Sequence, residues 1–266
     1  MAGRGTVLAV LGGAVALALG VAGPAAAVVD GNAGSQFDRE VVRPADISAD
    51  WSQDWSTADT RPGGTVSIVT SYGAPAGLGR GSVQLTTDAT NAAKAQIMTQ
   101  EGAGTPLSQV SRLSYWTYQQ SGPAHAAAGF NLVIDANGPA PGGFATLVWE
   151  PYQNGTVLPQ TWQFWDLTQG KWWSTRQING VAPSPGGPPT ATLGQIAAWN
   201  PDAVVLGFGA NVGSYNPSYV VATDGLTFNE TTYDFEPAAV GCEHADGKRS
   251  EKARGDCEEH STRHGS

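Results

Sequence analysis

Apolar and polar positions alternate most clearly in the stretch Phe144–Trp149, which is rich in aromatic and β-branched residues. Successive side chains of a β-strand point to opposite faces, so this alternation predicts a strand with two distinct sides. The two predicted faces are Phe144, Thr146 and Val148 on one side, and Ala145, Leu147 and Trp149 on the other.

The longer stretch from Phe144 to Gln177 predicts three strands joined by tight turns. Asn154-Gly155 is a strong signal for a two-residue hairpin turn, because a type I′ turn needs positive φ at both central residues. Thr168–Lys171 supplies the second turn. The stretch holds five of the nine tryptophans, so we predict a central meander whose indole rings fill the core.

The rest of the chain from Phe37 to Pro237 carries further short strand patterns separated by Gly- and Pro-rich turns. Strands at such intervals are typical of a sandwich of two sheets. Thr192–Trp199 is the one segment with a helical pattern, with Thr192 as its N-cap and Asn200-Pro201 as its stop. We predict an all-β, antiparallel β-sandwich of jelly-roll type over residues 37–237, with one short helix.

The two ends of the chain differ from this middle part. Residues 1–27 combine Arg4, an apolar run and the small residues Ala25–Ala27, which predicts a signal peptide and therefore secretion to the extracellular space. A retained membrane anchor is the alternative, although the apolar run is short for a bilayer. Residues 28–36 are expected to form a flexible lead-in.

Residues 238–266 hold eleven charged residues and have no large apolar residue after Val240. Such a segment cannot bury a core, so we expect a disordered tail. Cys242 and Cys257 lie in it, and in a secreted chain a pair of cysteines predicts a disulfide. With His244 and His260 they also form the ligand set of a zinc site, which stays open as an alternative.

Charge excludes some partners. Without Arg4, the mature chain has 13 Lys and Arg against 23 Asp and Glu, a formal charge of −10. Binding to nucleic acid needs basic side chains gathered on one face, and the predicted folded part has only two lysines and no such cluster. We therefore expect no nucleic-acid partner, and no membrane association once the signal peptide is removed.

The loop that begins at Asp135 is a candidate calcium site. Asp135 and Asn137, followed by Gly138, place oxygen ligands at alternate positions, as at the start of a calcium loop. The rest of such a loop is missing, so an Asx turn between strands is the alternative. No other cofactor is expected.

Motifs for catalysis are scarce. There is no G-x-S-x-G serine motif, and the predicted domain has a single histidine, His125. Glycoside hydrolysis needs two carboxyl groups across a cleft, for which Glu150 and Asp166 are the candidates. The E-x-D-x-x-E strand motif is absent. Catalytic residues are therefore not assigned.

Aromatic side chains are the remaining signal, because exposed Trp and Tyr rings can stack on the apolar faces of sugars. Trp162 and Phe164 should share one strand face and Trp165 should take the other. Of the pair Trp172-Trp173, one ring should lie in the core and one outside. The candidate ligand-binding residues are Trp149, Tyr152, Trp162, Trp165, Trp172 and Trp173.

Several stretches, among them FNLVIDANG, ATLVWEPYQNGTV and ATDGLTFNETTYDFEP, carry a resemblance. They resemble secreted bacterial β-sandwich proteins of jelly-roll or concanavalin-like type that have no assigned function. The resemblance implies a sandwich fold and export, and it brings no catalytic residues.

These observations favour a secreted, non-enzymatic β-sandwich that binds carbohydrate or another cell-envelope polymer. A structural or interaction protein without a small ligand is the first alternative. A glycoside hydrolase acting on polysaccharide is the second.

Overall fold

The computed structural model describes residues 38–238, and nearly all of their regular structure is β. The fourteen strands are β1 Asp38–Val42, β2 Ile47–Ser48, β3 Trp55–Ser56, β4 Gly64–Val69, β5 Ser82–Thr87, β6 Ala95–Thr99, β7 Leu113–Ser121, β8 Gly129–Asp135, β9 Phe144–Trp149, β10 Gln163–Asp166, β11 Trp173–Ser174, β12 Val204–Val212, β13 Val220–Phe228 and β14 Thr231–Phe235. The helices are α1 Pro151–Asn154 and α2 Leu193–Trp199, with two 3-10 turns at Pro44–Asp46 and Leu107–Gln109. Within this range, neither helix has the length and apolar character needed to cross a bilayer.

The strands form two seven-stranded sheets. In the first sheet β13 is central: β7 lies along one side, and β5 and β14 pair with successive parts of the other. β1, β4 and β10 complete its edges. The second sheet has the order β11-β9-β8-β12-β6-β3-β2. Two pairs, β1 with β14 and β2 with β3, are parallel, so both sheets are mixed rather than purely antiparallel.

The core lies between the two sheets and contains many aromatic rings. Trp55 of the second sheet contacts Tyr233 and Phe235 of the first, with ring centroids 5.3 and 4.9 Å apart. Phe208 stacks on Phe228 across the same interface at 5.0 Å. Such ring pairs stabilise the packing beyond the burial of their area. The predicted sandwich is therefore confirmed, with Trp55 as a core indole from outside the predicted meander.

The predicted strand Phe144–Trp149 and the predicted helix at Thr192–Trp199 occur where the sequence placed them. Helix α2 begins after Thr192, whose hydroxyl accepts a hydrogen bond from the Gln195 amide at 3.3 Å. The Gln195 side chain accepts one from the Thr192 amide in return, at 3.0 Å. This reciprocal pair is a capping box, and it explains why the helix begins there. A second helix, the single turn α1, was not predicted.

The predicted central meander is wrong. Only β9 and β11 lie in the second sheet, whereas β10 lies in the first and pairs with β7. Asn154 ends the helical turn α1, and Gly155 has extended backbone, with φ of −178°. Pro151 explains the difference, because proline fits the first position of a helix and lacks the N–H that a hairpin strand would donate. The chain therefore leaves the second sheet after β9 and returns to it at β11.

Several predictions concern residues outside 38–238. They are the signal peptide, the lead-in, the tail beyond residue 238, and the pairing of Cys242 with Cys257.

Candidate functional site

A groove of about 1130 Å³ runs over the face of the second sheet that is turned away from the core. The alternation along β9 builds one part of it. Ala145 and Leu147 are fully buried in the core, whereas Phe144, Thr146 and Val148 line the groove. The two faces predicted for this strand are thus confirmed.

The register of the sheet aligns one residue from each of five strands in a row, and four of these five residues line the groove. Trp173 pairs with Val148, which pairs with Asn131. Asn131 in turn pairs with Gly209, and Gly209 with Met98. Five neighbouring strands span about 19 Å at the usual spacing. The groove is therefore long enough for an extended ligand lying across the strands.

Two glycines of β12 lie close to the backbone of β6, and one of them, Gly207, lines the groove. A Cβ atom on Gly209 would meet the carbonyl oxygen of Ile97 and lie 2.8 Å from the Met98 sulfur. A Cβ on Gly207 would meet the carbonyl oxygen of Thr99. Glycine within a strand marks a place where another group approaches the backbone closely. Here the missing side chains allow β12 to lie close to the backbone of β6.

Exposed aromatic rings surround the groove. They are Trp51, Phe144, Tyr152 and Tyr215. Tyr215 is 80% exposed, yet its backbone is fixed by a hydrogen bond from its amide to the Asn91 carbonyl at 2.9 Å. Trp51 and Tyr215 both have left-handed backbone, with φ of 63° and 68°. This conformation is unfavourable for bulky residues and tends to persist at functional sites.

Two buried polar atoms of the groove lining lack a partner. Asn131 is 5% exposed and Trp173 is 8% exposed. Neither the Asn131 Oδ1 nor the Trp173 Nε1 has a hydrogen-bond partner among the described residues. A buried polar group without a partner is costly, so each such group calls for an explanation. Because both atoms are shielded from solvent, a polar ligand would bond to them only after a small shift of the two side chains toward the groove.

Glu150 lines the groove directly after β9. Burial raises its pKa to about 7. Burial, with a smaller contribution from the Glu150 charge, also raises the pKa of Tyr152 and that of Tyr115. The same causes, together with Tyr152, raise the pKa of Tyr219 to about 12. Glu150 therefore holds a proton more tightly than an exposed glutamate does.

The other carboxylate lining the groove is Asp59, which has left-handed backbone with φ of 63°. Its side chain contacts Lys94 and lies 3.5 Å from the Arg61 guanidinium. Burial opposes ionisation of Asp59, but Lys94 and Arg61 prevail and lower its pKa. Asp59 is thus a paired anion, in contrast to Glu150.

The predicted ligand-binding aromatics separate into three groups. Tyr152 and Trp173 line the groove. Trp149 and Trp172 are core residues, and their indole N–H groups donate to the carbonyls of Gln169 and Leu167 at 3.1 and 3.2 Å. Buried and hydrogen-bonded in this way, neither presents a ring face to a ligand. The opposite orientation of Trp172 and Trp173 agrees with the prediction, although Trp173 is itself largely buried.

The remaining two, Trp162 and Trp165, belong to the segment that enters the first sheet and do not line the groove. Trp162 packs on Tyr118 at 5.4 Å and donates to the Tyr72 carbonyl. Trp165 packs on Trp149 at 5.6 Å and donates to the Thr117 hydroxyl. Phe164 is half exposed on the outer side of the first sheet. Both tryptophans therefore stabilise other parts of the fold.

Asp166, the second candidate carboxylate, also lies in β10 and accepts a hydrogen bond from the Thr168 amide at 3.0 Å. It is not part of the groove lining, so the fold does not bring it to one cleft with Glu150.

The candidate calcium loop forms an Asx turn. The Asn137 amide donates to Asp135 Oδ1 at 3.3 Å, and its side-chain amide donates to the Pro141 carbonyl at 3.2 Å. Both Oδ1 atoms point toward Gly143, and that of Asn137 has no partner within the described part of the chain. Residues 38–238 contain no group of three or more His, Cys, Asp or Glu placed to hold a metal ion.

Sequence reasoning missed Trp51, Asn131 and Tyr215. Trp51 and Tyr215 lie in loops, where no periodic pattern points to their orientation. Asn131 is a polar position within an otherwise apolar strand, which is the one signal that could have marked it.

No protein-family model matches the chain, and no curated protein sequence does. Solved structures that match part of the chain include a family 11 carbohydrate-binding module from Clostridium thermocellum in complex with a β-1,3-1,4-mixed-linked tetrasaccharide. It has 12% identity and a TM-score of 0.38, and the match covers 66% of this chain and 88% of that one. The family 11 module of the cellulosomal cellulase Lic26A-Cel5E from the same organism also has 12% identity and a TM-score of 0.38, with 70% and 91% covered. An arabinose-bound α-L-arabinofuranosidase has 9% identity and a TM-score of 0.37, with 66% of this chain and 22% of that chain covered.

Proposed function

We propose that this protein is a secreted carbohydrate-binding β-sandwich, and that the groove of the second sheet is its binding site. The observation that carries the proposal is the pair of unpartnered buried atoms, Asn131 Oδ1 and Trp173 Nε1, in the groove lining. Sugars carry many hydroxyl groups, which both donate and accept hydrogen bonds. They also have apolar ring faces, which suit the exposed Tyr152 and Tyr215 rings at the groove.

Binding to soluble and insoluble polysaccharides tests this proposal. Affinity electrophoresis and pull-down assays with cellulose, xylan, galactomannan and chitin should identify at least one polymer that binds. Isothermal titration with its oligosaccharides of increasing length should then show affinity rising until the groove is filled. If no polymer binds, and tryptophan fluorescence responds to no sugar, the protein is better described by the alternative of an interaction protein without a small ligand.

A matched pair of variants locates the site. Phe144 and Phe164 are each 50% exposed, but only Phe144 lines the groove. Phe144→Ala should weaken binding by roughly fivefold, which corresponds to the loss of about 1 kcal/mol of stacking. Phe164→Ala should leave affinity unchanged. Equal effects of the two substitutions would move the site away from the groove.

Trp173→Phe tests the hydrogen bond separately from the ring. It keeps an aromatic side chain at the position and removes the N–H donor. We expect roughly a fivefold to tenfold loss of affinity, since a hydrogen bond contributes about 1 kcal/mol. An unchanged affinity would show that the indole N–H does not contact the sugar.

A second candidate function, glycoside hydrolysis, is favoured by one observation. Glu150 lies in the groove with a pKa of about 7, which suits a general acid. The usual mechanism also needs a second carboxyl group across the scissile bond. Release of reducing ends by the wild-type protein, and its loss in Glu150→Gln, would establish this activity.

Two further parts of the proposal have their own tests. Secretion predicts that the mature protein recovered from culture medium begins at Val28, which N-terminal sequencing determines. Calcium at Asp135 and Asn137 predicts a higher melting temperature in calcium than in chelator, and loss of that difference in Asp135→Ala.

A further inference from the structure

The backbone fixes the direction of the Glu150 side chain. Trp149, the last residue of β9, points into the core, so the next residue points to the groove side. Pro151 follows, and a residue before proline is restricted to extended backbone. Glu150 has φ of −106° and ψ of 125°, as this restriction requires. The Cα–Cβ bond of Glu150 is therefore directed toward the groove.

The carboxyl group of Glu150 lies next to Gly129, which has no side chain. A Cβ atom on Gly129 would lie 3.1 Å from Glu150 Oε2 and 3.6 Å from Asn211 Oδ1. Because Gly129 has no side chain, the side chains of Glu150 and Asn211 can both occupy the space above it. None of the hydrogen bonds found within residues 38–238 involves a carboxyl oxygen of Glu150, so its oxygens are available to a ligand.

The groups that face Glu150 carry no positive charge that would hold it ionised. Tyr115 from β7, Tyr152 from α1 and Tyr219 from the segment before β13 interact with it electrostatically. His125 packs against two of these rings, 5.4 Å from Tyr152 and 6.2 Å from Tyr219. This environment is aromatic, and it favours the neutral form of a carboxyl group.

The cations near the groove have other partners. Lys94 contacts Asp59, and the Arg176 guanidinium lies 5.5 Å from the Phe144 ring centre. None of the ion pairs in the described part of the chain includes Glu150. A ligand that fills the groove would displace the water that still reaches the carboxyl group. Loss of that water disfavours the carboxylate further.

We propose that Glu150 binds the ligand as a neutral carboxylic acid, so that occupation of the groove is coupled to uptake of a proton. The inference rests on the proposed function of the groove and adds the chemistry of one subsite. The acid O–H donates to a hydroxyl or ring oxygen of the sugar, and the acid carbonyl accepts from a neighbouring hydroxyl. One proton is taken from solvent for each ligand bound above the pKa of the free protein. No covalent bond forms or breaks.

The experiment is a pH series of isothermal titrations with a polysaccharide fragment found to bind, in buffers of different ionisation enthalpy. Wild-type affinity should fall about tenfold or more between about pH 6 and about pH 9, with measurable proton uptake at the upper end. Glu150→Gln, which keeps a donor and an acceptor but cannot ionise, should give a flat profile and bind more tightly than wild type at the alkaline end.

Two controls separate Glu150 from its surroundings. Glu230→Gln changes an exposed glutamate in the turn between β13 and β14 and should retain the wild-type profile. His125→Gln should retain it as well, because His125 contacts the tyrosine rings rather than the groove. If His125→Gln abolishes the pH dependence, the proton belongs to the histidine and the inference is overturned.

The two proposals fail in different ways. Binding that depends on Phe144 and Trp173 but is independent of pH, or that strengthens as the pH rises, overturns the role of Glu150 and leaves the carbohydrate site intact. Absence of binding to every polymer at every pH removes the carbohydrate site, and the role of Glu150 with it.

Discussion

Replacing Glu150 with glutamine should stabilise the protein at alkaline pH and leave its stability unchanged at acid pH. Burial raises the pKa of Glu150 from 4.5 to about 7. Below about pH 4.5 the carboxyl group is protonated in both the folded and the unfolded chain, so folding has no charge to bury. As the pH rises from about 4.5 to 7, the unfolded chain releases this proton while the folded chain keeps it. Wild type therefore loses stability over that range.

The size of the effect follows from the shift in pKa. Each unit corresponds to about 1.36 kcal/mol, so a shift of this size sets an upper limit of about 3.4 kcal/mol. Water in the groove reaches part of the side chain and weakens the penalty. We expect Glu150→Gln to exceed wild type by about 2 kcal/mol in the free energy of unfolding at pH 8, and by about zero at pH 4.

Reversible urea unfolding, followed by tryptophan fluorescence at several pH values, measures this difference. Glu230→Gln is the control, because it removes one exposed carboxylate and corrects for the change in net charge. A constant difference between Glu150→Gln and wild type across the pH range would refute the reasoning. So would a wild type that becomes the more stable of the two at pH 8.

Four other substitutions probe the framework. Phe208→Ala should cost about 3–5 kcal/mol, since this fully buried ring packs on rings of both sheets, and the midpoint of urea unfolding would report it. Thr192→Ala should cost about 1 kcal/mol by removing the cap of α2, which would appear as a lower melting temperature. Arg39→Met should cost about 2 kcal/mol at neutral pH, because it leaves the buried Asp234 carboxylate without its cation, and this cost should shrink in acid. Gly207→Ala should cost about 1–3 kcal/mol and also weaken binding in the proposed site, whereas a loss of stability without a loss of affinity would mean that the ligand does not reach this part of the groove.

The alternation of side chains was enough to locate most strands and to assign their faces. In β9 it correctly separated Leu147 in the core from Thr146 in the groove. The capping residues of α2 likewise fixed the start of that helix. These features are local, since each depends on residues within a few positions of one another.

The choice of partner strand is not local, and there the prediction failed. The alternation of Phe164 and Trp165 is real, but nothing in their own segment states that β10 pairs with β7, about fifty residues earlier, rather than with β9. Asn154-Gly155 was interpreted as a hairpin, although Pro151 just before it favoured a helical turn. This error also affected the predicted site. Trp162 and Trp165 were predicted to bind the ligand, but their segment belongs to the first sheet and does not line the groove.

The groove itself was only partly predictable. Tyr152 and Trp173 were proposed because they are aromatic residues of the stretch Phe144–Gln177. Trp51 and Tyr215 come from loops with left-handed backbone, whose geometry depends on tertiary contacts such as the Tyr215 amide bonding to Asn91. Asn131 became significant only through what surrounds it. Glu150 was already a candidate carboxyl group, but its raised pKa depends on its burial in the fold.

The departure of the chain from the second sheet after β9 has a mechanical consequence. Glu150 and Tyr152 stand at the start of this detour, and Trp165 lies near its middle with its ring against Trp149. This segment links the two sheets, because β10 pairs with β7 of the first sheet whereas β9 and β11 pair in the second. We therefore expect a substitution that changes the packing of Trp165 to alter affinity at the proposed sugar site, although Trp165 does not line the groove. Evolution or design could adjust recognition here from the interior, without altering any residue that a ligand contacts.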